Sequence, residues 1–323
     1  MKKLICVMLT VMMLVSMLAG CGAPADDGVY KIAIIQQLPH SSLDEIRFAI
    51  QAQLDAIAAE KGIAIEYKHF NGQNDTSILA QIGSQVVSDG YDAIIPIATL
   101  AAQYAVTAAE GKNIPIIYAA VSDPVEAGLT DLANVTGVSD ALNTPFILNM
   151  MLAVNPDIKT VGLLYSNSEP NSVTPIKEAK AYLDSKGIAY IEKTGNAVDE
   201  VTAAVSALVG RCEAVFTPTD NAIMNVAPTV ADTLNKAGIP HYTGADSFVQ
   251  AGSFATCGVN YTELGIYAAN MAMDILLGGP VPAFHVMDGG IITVNTDTAK
   301  ALGIDYNVFN SMANTISLVT NQE

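Results

Sequence analysis

The sequence predicts an α/β protein of two similar lobes, each built on a parallel β-sheet. Short apolar runs alternate with amphipathic helical segments along most of the chain, which is the order of a parallel sheet with right-handed crossovers. This order restarts near residue 160, and several segments recur about 125 residues downstream. A chain of 323 residues with 51% hydrophobic content is long enough for two ordinary domains and excludes a largely disordered protein.

The internal repeat is visible in three pairs of segments. The segment E-K-G-I-A from Glu60 recurs as S-K-G-I-A from Ser185, and the Ile-Pro pair at Pro115 recurs at Pro240, both 125 residues later. A third segment, D-A-I-I-P-I-A-T, has the counterpart E-A-V-F-T-P-T-D 121 residues downstream. Three matches at nearly one offset indicate a duplicated β-α lobe.

The first half of the chain is predicted to consist of β-α units. Its strands are expected at residues 31–36, 63–70, 93–98, 114–121 and 134–138. The first helix is expected to have Ser42 as N-cap, with Glu45 three residues on, and to end at Gly62. A second helix is indicated by the apolar residues between Ile78 and Val87, and an alanine-rich helix runs from Thr99 to about residue 110.

The second half repeats this order and then departs from it. Its strands are expected at residues 160–165, 188–193, 214–217, 239–246 and 254–258. A helix at 261–277 and a last strand at 291–294 have no counterpart in the repeat. We expect lobe 1 to comprise residues 29–142 plus about 261–290, and lobe 2 with the hinge to comprise 143–260 plus about 291–323. The chain would then cross between the lobes more than once, which restricts their motion to a hinge.

The N-terminus is predicted to be a targeting segment rather than part of the fold. Lys2 and Lys3 precede an apolar run from Leu4 to Leu18, shorter than the roughly 20 residues of a spanning helix. The run ends in L-A-G-C, which resembles the bacterial lipobox and implies that Cys21 is acylated. We expect residues 1–20 to be a lipoprotein signal peptide and 21–28 a tether that anchors an extracytoplasmic protein to the membrane. A plain signal peptide or an uncleaved anchor is the alternative.

Composition narrows the class of ligand. The net charge of −17 disfavours polyphosphate and nucleic-acid partners through long-range repulsion. Arginine occurs only at Arg47 and Arg211, so a guanidinium clamp on an anion is nearly unavailable. Beyond Cys6 and the lipobox, the cysteines are Cys212 and Cys257, with no C-x-x-C and no His/Cys cluster, so we expect no metal and no cofactor. Whether these two cysteines pair is left open.

Candidate ligand-binding residues follow the predicted strands. None of the motifs G-x-x-x-x-G-K, G-x-S-x-G, H-E-x-x-H and G-x-G-x-x-G occurs, so no motif supports an enzyme. Ligands of parallel α/β sheets bind outside the carboxyl ends of the strands. The polar residues expected there are His40, Thr99, Ser122, Asp123, Asn171, Ser172, Asp220, Asn221 and Asp246. Any one could merely cap a helix. Together, on facing edges of two lobes, they suit a zwitterionic amino acid.

Five groups of segments resemble one family. They are H-S-S-L-D, A-T-L-A-A-Q with I-P-I-I-Y-A-A-V-S-D-P-V-E-A-G-L, N-V-T-G-V-S-D, S-E-P-N-S, and P-T-D-N, spread in order between about residues 31 and 304. They resemble the substrate-binding lipoproteins of ABC importers, in the subfamily that includes binders of tryptophan and other aromatic amino acids. The chain departs from that pattern at Ser41-Ser42, where the family often has a Pro-small pair after the histidine.

The resemblance implies both a fold and a role. The fold would be that of a type I periplasmic binding protein, with two Rossmann-like lobes joined by a multi-crossing hinge. The nine candidate residues would contact a small ligand in the cleft, and a monomeric, non-enzymatic protein would present its closed form to an ABC permease and ATPase. A nucleoside or sugar ligand and a sensory ligand-binding protein remain alternatives, and an exported hydrolase would need a nucleophile with a base.

Overall fold

The computed structural model describes residues 28–321. The predicted signal peptide, the lipid-attachment Cys21 and nearly all of the tether lie outside this range. The strands are, in chain order, β1 (Val29–Gln36), β2 (Ala64–Asn71), β3 (Ala93–Ile97), β4 (Ile116–Ala119), β5 (Val135–Ser139), β6 (Thr160–Tyr165), β7 (Ala189–Thr194), β8 (Ala214–Thr217), β9 (His241–Thr243), β10 (Ala255–Gly258), β11 (His285–Val286), β12 (Ile291–Asn295) and β13 (Thr315–Val319).

Helices lie between most of these strands. They are α1 (Ser41–Lys61), α2 (Thr76–Asp89), α3 (Thr99–Ala108), α4 (Thr144–Val154), α5 (Val173–Lys186), α6 (Val198–Ser206), α7 (Asn221–Met224), α8 (Ala227–Lys236), α9 (Asp246–Gln250), α10 (Tyr261–Leu276) and α11 (Thr296–Leu302). Short 3₁₀ turns at Pro170–Ser172 and Tyr306–Ser311 complete the described secondary structure.

Two sheets of matching topology confirm the predicted fold class. The first has the order β11-β5-β4-β3-β1-β2, and the second has the order β13-β12-β10-β9-β8-β6-β7. Five consecutive strands of each sheet, β5-β4-β3-β1-β2 and β10-β9-β8-β6-β7, follow the same order, so the arrangement occurs twice along the chain. All pairs in the first sheet are parallel, whereas β12 joins the second sheet antiparallel to β10.

The duplication extends to single interactions. The Asp92 carboxylate accepts a hydrogen bond from the backbone N–H of Lys31 at 2.7 Å, and this fixes the start of β3 against β1. Glu213, its counterpart in the repeat, accepts from the backbone N–H groups of Lys159 and Thr160 at 2.6 and 2.8 Å, at the start of β6. The two copies of the K-G-I-A segment also have the same structural role. Gly62 and Gly187 each end a helix in the left-handed conformation, with φ 64° and 67°.

Two details of the sequence prediction are wrong. Helix α1 begins at Ser41 with His40 as its N-cap residue, and the hydroxyl of Ser42 is not used as a cap. It donates instead to the Asp246 carboxylate, 2.8 Å away in the other lobe. The first half was predicted to consist of β-α units, but no helix follows its fourth strand, β4. Residues 120–134 pass from β4 to β5 through turns.

The chain passes between the two sheets three times. The passages are at residues 140–143, 259–260 and 287–290, between β5 and α4, β10 and α10, and β11 and β12 respectively. Helix α10 packs on α1 and on β3, β4 and β5, so it belongs to the first sheet although it follows a strand of the second. None of the helices within residues 28–321 is long and apolar enough to cross a membrane.

The return of α10 to the first sheet depends on a close approach at Gly265. A Cβ placed there would lie 2.6 Å from the carbonyl oxygen of Ile46 and 2.7 Å from Cβ of Ala49, both on α1. Distances this short cannot be relieved by rotating a flexible side chain, because one partner is backbone. Glycine is therefore needed for α1 and α10 to pack at their observed separation.

We expect Gly265→Ala to lower the free energy of unfolding by about 1–3 kcal/mol, measured by urea denaturation. In an exposed helix interior a Gly→Ala substitution normally stabilises a protein by roughly 0.5–1 kcal/mol. The sign of the change in the free energy of unfolding therefore tests whether α1 leaves no room for a Cβ at residue 265. Gly289→Ala is the matched control, because its Cβ would meet nothing closer than 3.8 Å. Equal stability of the two variants would contradict this account of the packing.

Candidate functional site

A cavity lies between the facing edges of the two sheets. Its walls come from the loops and helix starts that follow β1, β3, β4 and β5 on one side and β6, β8 and β9 on the other, together with the start of α10. The lining residues are His40, Ser42, Leu43, Ala98, Thr99, Ala120, Ser122, Asp140, Asn171, Thr219, Asp220, Asn221, Met224, Ala245, Ser247, Phe248 and Tyr261. The space between these walls that no atom fills is about 380 Å³, part of which is open to solvent.

Six of the nine residues predicted from the sequence line this cavity. They are His40, Thr99, Ser122, Asn171, Asp220 and Asn221. The structure therefore brings together residues as distant in the chain as His40 and Asn221, whose side chains lie 3.3 Å apart.

The remaining three predicted residues do not line the cavity. Asp123 caps the turn after β4 by accepting from the backbone of residues 125 and 126, and it accepts from the Thr174 hydroxyl at 2.6 Å. Ser172 donates to Asp220 at 2.7 Å, behind the cavity wall. Asp246 is the acceptor for Ser42. Each of the three is held by a hydrogen bond outside the cavity, so a position at a strand end does not by itself place a side chain in the cavity.

Asp140 is the most informative residue that the selection missed. It directly follows β5, so the strand-end rule that selected the other candidates would have found it. It is buried beside the cavity and accepts a hydrogen bond from the Ser122 hydroxyl at 3.0 Å. Tyr261 and Phe248 were also missed, because they belong to helices α10 and α9 and only the packing of the lobes brings them to the cavity.

Burial governs the charge of the cavity. It raises the pKa of Asp140 to about 6, against the opposing effect of the Ser122 hydrogen bond. Burial likewise lowers the pKa of His40 to about 4, so its imidazole is neutral at physiological pH. The described residues that line the cavity include no Lys or Arg. At neutral pH the cavity is therefore acidic, and only neutral groups can donate to an anion.

Asp220 is the second cavity carboxyl, but its oxygens are already used. It accepts from the backbone N–H of Ser166 at 2.6 Å, from the Ser172 hydroxyl at 2.7 Å and from the backbone N–H of Ile223 at 3.0 Å. Burial raises its pKa in spite of these hydrogen bonds. Asp220 therefore holds together the start of α7 and the loop after β6.

Several buried polar atoms of the cavity have no hydrogen-bond partner in the protein. They are Nδ1 of His40, Oγ1 of Thr99, Oδ1 of Asn171 and Oγ of Ser247. An unsatisfied buried polar group costs about 1–3 kcal/mol, so native proteins rarely leave several at one place. Their concentration in one cavity is the expected property of a site built to bind a polar ligand.

Two alanines of the cavity wall have an unusual backbone. Ala98, between β3 and α3, has φ 78° and ψ 163°, a region used almost only by glycine, and Ala120 after β4 has φ 56°. Such conformations cost about 1–3 kcal/mol each and are concentrated at functional sites. At Ala98 the unusual turn brings the first residue of α3, Thr99, to the cavity, with the positive end of the helix dipole behind it.

Side chains of the two lobes bond directly to each other around the cavity. Five such contacts join them: Gln37 with Glu169 (3.0 Å), His40 with Asn221 (3.3 Å), Ser42 with Asp246 (2.8 Å), Ser122 with Thr219 (3.0 Å) and Asp123 with Thr174 (2.6 Å). The lobes are therefore closed on each other, with the cavity enclosed between them.

The family model for ABC transporter substrate binding proteins matches residues 31–313 of this chain. The chain belongs to that family. Like other substrate-binding proteins of ABC transporters it is extracytoplasmic, and its family is one of binding proteins rather than enzymes. Within residues 28–321, no group of three or more His, Cys, Asp or Glu side chains is arranged to hold a metal ion.

Known relatives agree with this assignment. The chain is 34% identical over 321 residues to the Tyrosine-binding protein of Clostridioides difficile (strain R20291), covering 93% of this chain and 92% of that protein. It is 31% identical to the ABC domain in complex with L-Trp from Streptococcus pneumonia, with a TM-score of 0.81 over 89% of this chain and 99% of that one.

A third relative gives a measure of closure. It is the ligand-free, open structure of a substrate-binding protein with adhesive properties from Clostridium difficile, 33% identical, with a TM-score of 0.68 over 91% of this chain and all of that one. This ABC transporter substrate-binding protein is thus more similar in shape to the L-Trp complex than to the open structure, although the identities are nearly equal. The comparison agrees with the closed arrangement of the five interlobe contacts.

The raised pKa of Asp140 predicts a stability gain when the carboxyl is replaced. In the unfolded chain an Asp has a pKa of about 3.9, whereas the pKa of Asp140 in the folded protein is about 6. The free energy of unfolding therefore falls by up to about 3 kcal/mol as the pH rises between these two values. Asp140→Asn should therefore raise the free energy of unfolding by up to about 3 kcal/mol at pH 8 and have little effect at pH 3.5. Urea denaturation at both pH values measures this difference, and a destabilised variant at pH 8 would contradict it.

Proposed function

We propose that this substrate-binding protein captures an aromatic amino acid between its lobes and delivers it to an ABC importer. The observation that carries the proposal is the closed cavity with an acidic group, several unpaired neutral polar atoms and two aromatic rings. The names of two relatives, a Tyrosine-binding protein and an L-Trp complex, support the same ligand class. A zwitterion with a ring requires all three kinds of contact at once.

The two charged ends of such a ligand would meet different groups. The Asp140 carboxylate, ionised at neutral pH, is the proposed partner of the ammonium group. The ligand carboxylate would be held without a cation, by the hydroxyls of Thr99 and Ser247 and the N-terminus of α3. Helix N-termini bind anions through backbone N–H groups, so the shortage of arginine does not weaken the proposal.

The side chain of the ligand would lie against the apolar part of the wall. Tyr261 and Phe248 provide aromatic surfaces, and Leu43 and Met224 provide aliphatic ones. Aromatic pairs contribute about 0.5–1.5 kcal/mol beyond the area they bury.

We infer that the nine residues selected from the sequence act in two ways. The six that line the cavity are proposed ligand contacts. Asp123 and Asp246 bond across the lobes, and Ser172 holds Asp220, so we propose that these three stabilise the closed form that a permease recognises. Because contacts from both lobes are complete only on closure, the ligand shifts the open–closed equilibrium toward the closed state.

A catalytic role has no support among the described side-chain contacts of the candidate nucleophiles. The Ser122 hydroxyl bonds to Asp140 and Thr219, and the Ser172 hydroxyl bonds to Asp220, so neither contacts a histidine. A serine nucleophile needs an adjacent general base to become reactive. We therefore propose that the chain is not an enzyme and that its partners, besides the ligand, are the membrane-embedded permease and its ATPase.

We expect the affinity for L-tyrosine, measured by calorimetry, to fall by roughly tenfold or more between pH 6.5 and 4.5. The reason is that Asp140, with its pKa of about 6, takes up a proton and no longer attracts the ammonium. Asp140→Asn should weaken binding about 10- to 100-fold at pH 7.5 and remove this pH dependence, because a charged hydrogen bond is lost.

Asp246→Asn is the matched comparison. Asp246 is a partly buried carboxyl that also accepts a serine hydroxyl, but it lies outside the cavity. A loss of affinity larger for Asp246→Asn than for Asp140→Asn would contradict the assignment of the ammonium to Asp140. Binding of glucose or adenosine but of no aromatic amino acid would refute the proposed ligand class.

We also propose that the protein is anchored by lipid on Cys21. In cells given radiolabelled palmitate, the full-length protein should be labelled and should sediment with membranes, because acyl chains anchor the polypeptide. Cys21→Ser should abolish the label and release the protein, whereas Cys212→Ser should change neither, since Cys212 is buried in the fold. A Cys21→Ser protein that still carries the label would refute the anchor.

A further inference from the structure

A chain of side-chain hydrogen bonds runs along the cavity and passes between the lobes twice. It begins at Gln37 after β1, continues through Glu169 and Asn221 in the second lobe, and returns to His40 in the first. Glu169 and Gln37 are buried but do not line the cavity, and the capture of a ligand as proposed above assigns neither a role.

The direction of this chain is set by a backbone group. The N–H of Leu100 can only donate, and it donates to Oε1 of Gln37 at 3.3 Å. The Gln37 amide is therefore oriented with Nε2 outward, where it donates to Oε1 of Glu169 at 3.0 Å and to Oδ1 of Asn74 at 2.9 Å. With Glu169 ionised, each later group in this series of hydrogen bonds then has one consistent orientation.

An ionised Glu169 can only accept hydrogen bonds. Its second oxygen accepts from Nδ2 of Asn221 at 3.1 Å, which turns Oδ1 of Asn221 toward Nε2 of His40 at 3.3 Å. That imidazole nitrogen must then carry the proton, and Nδ1 is left with a lone pair. Nδ1 is buried and unpaired in the cavity wall, so the ligand meets an acceptor there.

We propose that Glu169 is a positioning residue that sets, through Asn221, which ring nitrogen of His40 carries the proton, and hence whether the cavity offers the ligand an acceptor or a donor at Nδ1. The inference rests on the proposed function only in assuming a ligand beside His40. It also gives closure a chemical consequence, because the lobes must meet before Glu169 and His40 are connected.

Protonation of Glu169 would reverse the donor–acceptor direction of the hydrogen bonds that lead from Glu169 through Asn221 to His40. Burial and the nearby Asp220 raise the pKa of Glu169 to about 8, so a proton is readily held there. The protonated carboxyl of Glu169 has one accepting oxygen, which still accepts from Gln37, and one O–H group, which donates to Asn221. The Asn221 amide then flips, donates to Nε2 of His40 and moves the imidazole proton to Nδ1. The charged groups near this chain are Asp220 beside Glu169 and Asp44 beside His40.

Glu169→Gln imitates the reversed state with a side chain of the same shape. We expect ¹⁵N NMR of the ligand-free wild-type protein at about pH 9.5, where Glu169 is ionised, to show the Nε2–H tautomer of His40. Glu169→Gln at the same pH should show the Nδ1–H tautomer. With four histidines in the chain, His40→Gln identifies the signal. Glu110→Gln, the same chemical change at an exposed position, should leave the wild-type tautomer.

The wild-type spectrum alone can overturn the proposal, since an Nδ1–H tautomer at about pH 9.5 contradicts the deduced direction. The proposal also fails if Glu169→Gln folds and keeps the wild-type tautomer. Because no ligand is present, neither result depends on the proposed function.

A binding cycle tests whether Glu169 acts through His40. With L-tyrosine as the probe at one pH near 8.5, Glu169→Gln should weaken binding about tenfold in the wild-type background and much less in a His40→Ala background. Equal effects in both backgrounds would overturn the coupling. If L-tyrosine does not bind the wild-type protein at all, the proposed function fails, and the NMR result still decides the role of Glu169.

Discussion

The structure depends on direct polar contact between the two lobes across the cavity. The side-chain pairs that join them, such as Ser42 with Asp246 and Ser122 with Thr219, surround the cavity on several sides. Each pair is a short hydrogen bond between groups that water would solvate in an open form, so the net gain per pair is only about 0.5–1.5 kcal/mol. Closure is therefore finely balanced, and a ligand that bonds to both lobes can decide it.

The cavity is maintained at a cost in stability. Asp140 and Asp220 are buried carboxyls whose pKa values are raised, and Ala98 holds a backbone conformation that suits glycine. Each feature would be removed by selection for stability alone, since substitution at such sites commonly stabilises a protein. They are concentrated where the two sheets face each other, which is where a ligand can use the charge and the exposed helix N-terminus.

Much of the fold could be predicted because it rests on local patterns. Apolar periodicity located most strands, and the glycines at 62 and 187 end helices as the repeat predicts. The short strand His285–Val286 and the edge strand Thr315–Val319 were not predicted, because a few residues with a mixed pattern carry little signal. The Ser42 hydroxyl was assigned to a local cap, although the closed lobes gave it the stronger acceptor Asp246.

The sequence by itself determined the α/β class, the duplication, the family and six of the residues that line the cavity, because strand ends and repeats are properties of neighbouring positions. Only the tertiary structure decided which carboxyl is available: Asp140 faces the cavity, while Asp246 and Asp123 are occupied by hydroxyls of the opposite lobe. The physical reason is that hydrogen-bond partners and burial, which set both pKa and availability, come from residues more than fifty positions away along the chain.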